Sequence, residues 1–329
     1  MATPPPRVLS GMRPTGPLHV GHLVGALPNW ADLQSKYECY FMVADWHALT
    51  SNYEHPGEIR QWSLENVACW LAAGVDPARS VIFRQSDVPE HAELHVLLSM
   101  ITPVPWLERV PTYKEMQQEL AGKDLATYGF LGYPVLQTAD VIAYKATHVP
   151  VGDDQVAHLE LGREIVRRFN HLYGEVLPEF HPILTKTPRL PGPDRRKMSK
   201  SYGNSIDLGG GRAQMEKQVM TMFTDPKKLH LGDKGNPADC VGFAYHEALN
   251  PDAVAEVDRT CRDGSRGCVA CKKSLMEPFW SRLGPVHEAR ERVLADRAGL
   301  EAILAAGAVK ARAIAAATLR EVRTAMKLS

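Results

Sequence analysis

The sequence has no excess of either charge, no long apolar run and no recognisable leader. Lys and Arg together number 38, as do Asp and Glu, so the formal net charge is zero. This balance neither indicates nor excludes a nucleic-acid partner, because local basic patches can bind phosphate. No apolar run approaches the roughly 20 residues that span a bilayer, so we predict no association with a membrane. Residues 1–6 resemble neither a signal-peptide core nor an Arg-rich presequence, which predicts a cytoplasmic location.

The composition is that of an ordinary soluble globular protein. Hydrophobic residues make up 44% of the 329 residues and charged residues 23%. This length allows about two domains, each large enough to bury a core.

A glycine-rich turn near the start of the chain predicts a phosphate site. Apolar Val8 and Leu9 precede the turn, and apolar residues at helical spacing follow it. This order predicts a strand, a turn and a helix whose first N–H groups and dipole attract phosphate. In place of the G-x-G-x-x-G dinucleotide motif, the first helical turn holds His19 and His22, whose imidazole N–H groups can donate to phosphate. Gly21 leaves room for a nucleotide. The alternative is a capped helix with incidental histidines.

Apolar runs alternate with helical patterns over the first 190 residues. Runs typical of buried parallel strands lie at 39–44, 81–83, 149–151 and 183–184. Strand signals then stop, and helical patterns dominate. We predict an α/β fold, a Rossmann-like doubly wound parallel sheet followed by an all-α domain. The predicted divisions are a domain at 1–190, a linker with a basic loop at 191–206 and a helical domain at 207–329.

A helix with polar residues on one face is predicted to begin at Gly132-Tyr133-Pro134, with the proline in its first turn. Tyr133, Gln137 and Asp140 share a face because they lie four and three residues apart. Asp140 stands among apolar residues and needs a partner if it is buried. That partner is either a substrate or a neighbouring backbone amide or arginine.

Two other polar groups allow more than one interpretation. His91 and His95 are four residues apart in a predicted helix, but no third metal ligand stands nearby, so we interpret them as part of an exposed face. Gly152, Asp154 and Gln155 lie at a further strand–helix junction. Carboxylates there can cap the helix or accept from ribose hydroxyls and an ammonium group.

Two motifs in order carry a resemblance to a known family. His19-Val20-Gly21-His22 follows the first strand, and Lys197-Met198-Ser199-Lys200-Ser201 follows the last predicted strand. Together they resemble the paired signature of class I aminoacyl-tRNA synthetases, in the compact tryptophanyl and tyrosyl branch. Several segments look tryptophanyl, namely 10–16, 44–48, 133–140 and 149–155. Archaeal-type tyrosyl enzymes place a tyrosine two residues before the first glycine, where this chain has Leu9.

The resemblance implies activation of L-tryptophan by ATP, with release of pyrophosphate and transfer of tryptophan to the 3′ end of tRNA(Trp). It also implies a homodimer, and Mg²⁺ that accompanies ATP. The implied catalytic residues are Lys197, Lys200, His19 and His22. The implied ATP-binding residues are Gly11, Met12, Arg13, Thr15, Gly21, His22, Gly152, Asp154, Lys197, Met198, Ser199 and Lys200. The implied tryptophan-binding residues are Leu9, His47, Tyr133, Gln137, Asp140 and Gln155, with Asp140 accepting from the indole N–H.

Four of the six cysteines are clustered in the sequence as Cys240-x20-Cys261-x6-Cys268-x2-Cys271. In a cytosolic protein such clustering favours a metal over disulfides. A subset of bacterial tryptophanyl enzymes carries a [4Fe–4S] cluster on similarly spaced cysteines, and this chain resembles them. Zinc is the alternative, and unrelated free thiols are the third possibility. The basic residues Arg262, Arg266, Lys272 and Lys273 lie between or beside these cysteines, which suggests a role beside the anticodon.

Three other functions stay open at this point. Tyrosyl specificity would use the same fold. A small-molecule adenylyltransferase shares H-x-G-H but predicts neither the lysine loop nor the helical domain. A non-catalytic tRNA-binding paralogue would not need the intact histidines and lysines.

Overall fold

The computed structural model describes residues 6–110, 127–152, 155–184, 190–198 and 202–328. Five parallel strands form one sheet in the order β3-β2-β1-β4-β5. The strands are β1 (Arg7–Met12), β2 (Glu38–Val43), β3 (Ser80–Arg84), β4 (His148–Val151) and β5 (His181–Leu184). The predicted α/β class is confirmed. The strand order reverses between β1 and β4, which is where open parallel sheets bind ligands.

Helices surround this sheet and form most of the chain after it. In the described residues they are α1 (Val20–Leu23), α2 (Ala26–Leu33), α3 (Asp45–Asn52), α4 (Gly57–Ala72), α5 (Glu90–Ser99), α6 (Val104–Glu108), α7 (Tyr128–Ala143), α8 (Val156–Tyr173), α9 (Gly211–Thr221), α10 (Val241–Leu249), α11 (Val254–Arg262), α12 (Cys268–Ala295) and α13 (Arg297–Ala325).

The sheet separates two apolar cores. Val8 and Phe41 belong to one core, and their chain neighbours Leu9 and Tyr40 belong to the other. This division follows from the pleat, which points successive side chains to opposite faces. Because both faces are covered, the central parts of the strands are continuous apolar runs, as the sequence predicted.

The helix that carries Tyr133 begins earlier than the sequence predicted. α7 starts at Tyr128, where the Thr127 side chain accepts from the Phe130 N–H at 3.2 Å. Pro134 therefore lies inside the helix and not in its first turn. The prediction placed the start too late because it took Pro134 as a first-turn residue, where proline is commonest.

The last helix packs back onto the sheet. A Cβ atom at Gly307 would lie 1.8 Å from the Ile82 carbonyl oxygen, so α13 contacts the backbone of β3 at this glycine. The edge of the sheet is thereby covered. By length and composition, α13 is a helix that could cross a membrane. In the fold its apolar side faces the sheet, and its Arg312 pairs with Glu90 at 3.2 Å.

The core is continuous across the predicted domain boundaries. Leu300 of α13 and Phe279 of α12 belong to the same cluster as Val8 of β1. Leu319 belongs to the other cluster, with Leu9. The described part of 207–329 is helical, while the boundaries at 190 and 207 remain predictions.

Candidate active site

A cavity of about 440 Å³ opens at the carboxyl ends of β1 and β4. It therefore lies at the reversal of strand order. Residues from β1, α2, α3, α7 and the start of α8 form its wall. The lining residues are Leu9, Ser10, Gly11, Met12, Arg13, His22, Ala26, Asn29, Trp30, Met42, Ala44, His47, Thr50, Phe130, Tyr133, Gln137, Asp140, Val141, Val149, Pro150, Val151, Gly152, Gln155 and His158.

Residues predicted from distant parts of the sequence meet in this cavity. All six predicted tryptophan-binding residues line it. Five predicted ATP-binding residues line the same cavity, namely Gly11, Met12, Arg13, His22 and Gly152. Thr15, Gly21, Lys197 and Met198 are not among the lining residues. Asp154, Ser199 and Lys200 lie outside the described residues.

The two histidines of the first helical turn are held by backbone hydrogen bonds. His19 Nδ1 accepts from the Gly21 N–H at 3.2 Å, and His22 Nδ1 accepts from the His19 N–H at 3.2 Å. A neutral imidazole whose Nδ1 accepts carries its proton on Nε2. The neutral His19 ring thus has Nε2 as its donor, whereas His22 Nδ1 also lies 3.3 Å from the His19 carbonyl oxygen, so its contacts do not select one tautomer. A Cβ at Gly21 would lie 2.9 Å from the His19 ring, so the glycine makes room for this cap.

The segment after the lysine loop pairs with the segment that holds these histidines. The Val20 N–H donates to the Ile206 carbonyl at 2.8 Å, and the Leu208 N–H donates to the Leu18 carbonyl at 2.9 Å. Met198 is buried in the core, whereas Lys197 is exposed. The segment just after the lysine motif is therefore joined by backbone hydrogen bonds to the segment that holds the histidines.

Asp140 is the most constrained charge in the cavity, with only 2% of its surface exposed. Its Oδ2 accepts from His47 Nε2 at 2.7 Å. Its Oδ1 accepts from Gln85 Nε2 at 2.8 Å and from His91 Nδ1 at 2.7 Å. Of the two alternatives left open by the sequence, a substrate or a backbone amide or arginine, neither names these three partners, which are the side chains of His47, Gln85 and His91.

These bonds keep Asp140 ionised. Burial alone would raise the pKa of this carboxyl, but the hydrogen bonds and charges of His47 and His91 outweigh burial and hold the pKa well below its usual value. The cavity therefore contains a fixed negative charge that accepts hydrogen bonds.

The interpretation of His91 as part of an exposed face was wrong. Its side chain is fully buried, and its Nε2 lies 2.6 Å from the Tyr144 hydroxyl. Its partners are 49 and 53 residues away in the sequence, so the local pattern carried no signal for them. Gln85 was missed for the same reason. Gln85 follows β3 directly, and this place at the end of a strand is the signal that could have indicated a site residue.

Tyr133 reaches the cavity together with another histidine that the sequence did not indicate. The Tyr133 hydroxyl is hydrogen-bonded to His158 Nε2, and both residues line the cavity. Burial raises the pKa of Tyr133 to about 12, so the phenol stays protonated. His158 lies one turn after Gln155, which places both side chains on the cavity side of α8.

The four clustered cysteines are free thiols near one another. Burial, together with the charges of Cys240, Cys261 and Cys268, raises the pKa of Cys271 to about 11. Among the described residues, no three His, Cys, Asp or Glu side chains are arranged closely enough to hold a metal ion. The donor chemistry therefore fits a metal, whereas the arrangement of the sulfur atoms in this structure does not form a complete site.

Comparison with known proteins gives three findings. Residues 1–284 match the family model described as tRNA synthetases class I (W and Y). The chain is 51% identical over 325 residues to a tryptophan–tRNA ligase of Thermotoga maritima, covering 98% of this chain and 99% of that protein. It also resembles the tryptophanyl-tRNA synthetase of Campylobacter jejuni solved with ADP and tryptophan. That structure has a TM-score of 0.87 and 32% identity, with 98% of this chain and 100% of the other covered.

Proposed function

The chain belongs to the class I tRNA synthetases for tryptophan and tyrosine, and we propose that its cavity activates tryptophan with ATP for transfer to tRNA(Trp). The activity is that of a tryptophan–tRNA ligase. The observation that carries the assignment to this cavity is the convergence of all six tryptophan-side residues with five ATP-side residues.

Selection of tryptophan depends on an apolar wall and one buried acceptor. Leu9 offers an apolar surface to the indole. A tyrosine at this position would instead bind the hydroxyl of a tyrosine substrate. The ionised Asp140 accepts from the indole N–H, and phenylalanine would leave this buried charge without that partner. Sites of this kind discriminate by about 10⁴ to 10⁵. Tyr133, Gln137, Gln155 and His47 hold the α-amino end of the amino acid.

The chemistry requires no nucleophile from the protein. A carboxylate oxygen of tryptophan attacks the α-phosphorus of ATP, and the bond from that phosphorus to the leaving pyrophosphate oxygen breaks. Catalysis consists of positioning and charge stabilisation. His19 and His22 donate from Nε2 to phosphate and ribose, and Lys197 and Lys200 neutralise charge on the α-phosphate and pyrophosphate. Mg²⁺ enters with ATP, and Asp154 holds the ribose.

The second half-reaction transfers tryptophan to the 3′-terminal ribose of tRNA(Trp). We assign anticodon recognition to the helical part after residue 207, where Arg262, Arg266, Lys272 and Lys273 supply positive charge. The enzyme acts in the cytoplasm without a membrane partner.

A homodimer is part of the proposal. Met100 is 72% exposed, and Val96 and Val104 beside it are about half exposed, so one face near α5 and α6 presents apolar side chains to solvent. Such a patch supports an isologous contact between two copies. Sedimentation of the intact enzyme should give twice the chain mass.

We further propose that Cys240, Cys261, Cys268 and Cys271 hold a [4Fe–4S] cluster, with zinc as the alternative. The pKa values of Cys240, Cys261 and Cys271 are each raised in part by the charge of another cysteine of the set, which supports a shared site. The role is structural, and no step of the reaction passes through it. Iron, sulfide and zinc analysis of protein purified without oxygen distinguishes the two, and the absence of all three contradicts the proposal.

Charging of tRNA tests the function. Tryptophan should be attached to tRNA(Trp), and tyrosine at the same concentration should not. Charging with tyrosine alone would favour the tyrosyl alternative. Adenylate formation without any charging would favour a small-molecule adenylyltransferase, and loss of both activities would favour a tRNA-binding paralogue.

A further inference from the structure

A chain of buried hydrogen bonds leads from the cavity to residues that do not reach it. His91 has no exposed surface and is not among the cavity's lining residues. One of its nitrogens contacts Asp140, and the other contacts Tyr144. Tyr144 is fully buried as well, and its ring stacks on Tyr40 with ring centroids 4.7 Å apart. Any effect of His91 on the substrate must therefore pass through Asp140.

The directions of these hydrogen bonds follow from the chemistry of the groups. Burial, together with the charge of Asp140, raises the pKa of Tyr144 well above its usual value, so the hydroxyl keeps its proton. An ionised carboxylate only accepts hydrogen bonds, so His91 Nδ1 donates to Asp140. The Tyr144 hydroxyl contacts the other nitrogen of the same ring at 2.6 Å and thereby fixes the orientation in which His91 donates to Asp140.

The carboxylate of Asp140 is then held on both oxygens. Two oxygens offer about four acceptor positions in total. Gln85 and His91 occupy Oδ1, and His47 occupies one position on Oδ2. One position on Oδ2 is left by these three bonds. Both bonds to Oδ1 come from protein side chains, so the carboxylate cannot rotate without breaking them.

We infer that His91, held by Tyr144, is a positioning residue that aims Asp140 at the indole N–H and so contributes to the choice of tryptophan. The inference rests on the proposed role of Asp140 as the indole acceptor. The added claim is that a donor bonded to Oδ1 keeps the carboxylate of Asp140 in its orientation. A donor missing from Oδ1 would free the carboxylate to turn and would leave the indole bond poorly aligned.

Three variants of the full enzyme test this role. His91→Asn places an amide N–H near the position of Nδ1 and keeps the donor to Asp140. His91→Leu fills similar volume without a donor. Tyr144→Phe keeps the aromatic ring but removes the hydroxyl that holds the imidazole of His91. Thermal unfolding of each variant reports whether the fold is intact.

The readout is the ratio of kcat/KM for tryptophan to that for β-(3-benzothienyl)alanine, in which sulfur replaces the indole N–H. His91→Leu should lower this ratio by about 10- to 100-fold, the value of one hydrogen bond to a charged group. The KM for ATP should not change. His91→Asn should restore most of the ratio, and Tyr144→Phe should fall between them. A purely structural role would lower both values of kcat/KM together.

Asp140→Asn separates failure of the inference from failure of the proposed function. If Asp140→Asn abolishes the preference for tryptophan over the thienyl analogue while His91→Leu and Tyr144→Phe leave it intact, the positioning role is overturned and the indole role stands. If Asp140→Asn leaves the preference intact, the proposed indole acceptor is wrong and the positioning role falls with it. Should His91→Leu fail to fold, the result with Tyr144→Phe decides.

Discussion

The first histidine of the glycine-rich turn combines an observed cap with a proposed donor role, and a single substitution can separate the two. His19 Nδ1 caps the short helix α1 by accepting from the Gly21 N–H, and we propose that its Nε2 donates to phosphate. Asparagine is among the best N-cap residues, and its Oδ1 lies near the position of an imidazole Nδ1. His19→Asn therefore keeps the cap and removes the donor. His19→Ala removes both.

The two effects differ in size and in the assay that detects them. Loss of one preorganised donor to developing charge lowers kcat by about 10²- to 10³-fold, so both variants should lose that much tryptophan-dependent pyrophosphate exchange. Loss of an N-cap costs about 1 kcal/mol of unfolding free energy, which only His19→Ala should lose. Chemical denaturation measures the second quantity. Exchange by His19→Asn near the parent rate would refute the donor role, and equal destabilisation of the two variants would refute the cap.

Three further predictions concern packing, acid stability and metal binding. Gly307→Ala should destabilise the fold by about 1–3 kcal/mol because its Cβ has no room against β3. Gly129→Ala, where the Cβ would lie in open space, should stabilise the fold by roughly 0.5–1 kcal/mol. Equal changes in the free energy of urea unfolding would contradict the close packing of α13. Burial opposes ionisation of Asp140, but its histidine partners lower its pKa, so the carboxylate stabilises the fold above the usual pKa of about 3.9 and loses this effect as the pH falls. Asp140→Asn should therefore cost more stability at neutral pH than near pH 3.5, and the same cost at both would be inconsistent with the network. Because burial raises the pKa of Cys271 to about 11, a metal ion must displace the thiol proton when it binds. Zinc titration of metal-free protein should therefore show an affinity that rises about tenfold per pH unit for each such thiol. An affinity independent of pH would argue against thiolate ligands.

The strands could be predicted from the sequence because each contains a continuous apolar run. The run at 39–44 corresponds to β2, which begins and ends one residue earlier. The face shared by Tyr133, Gln137 and Asp140 was also predictable, since helical spacing alone brings these side chains to one side. The proposed roles of the other site residues came from the resemblance of two motifs to the synthetase family. Hydrophobic periodicity alone could not have supplied these roles.

The polar network behind Asp140 could not be predicted, because its members come from separate elements. Gln85 follows β3, His91 lies in α5, and Tyr144 ends α7. Each looks unremarkable in its own segment, and only the packing of α5 against α7 brings them together. A buried carboxylate signals that partners exist, whereas their identity depends on contacts between residues far apart in the sequence.

The packing of α13 was hidden for a related reason. The buried face of α13 includes Leu304, Ala308, Ala311 and Ala315, whereas Val309 is 72% exposed. The surface that this face covers is β3, more than 200 residues earlier, and the fit depends on the absence of a side chain at Gly307. No local pattern distinguishes this glycine from one that simply weakens a helix.

Amino-acid-dependent exchange of pyrophosphate into ATP is the most direct test of the claim that the cavity activates tryptophan. The purified enzyme is incubated with ATP, Mg²⁺ and labelled pyrophosphate, together with tryptophan, tyrosine or no amino acid. We predict exchange with tryptophan alone. Exchange without any amino acid, or with tyrosine and not tryptophan, would contradict the assignment.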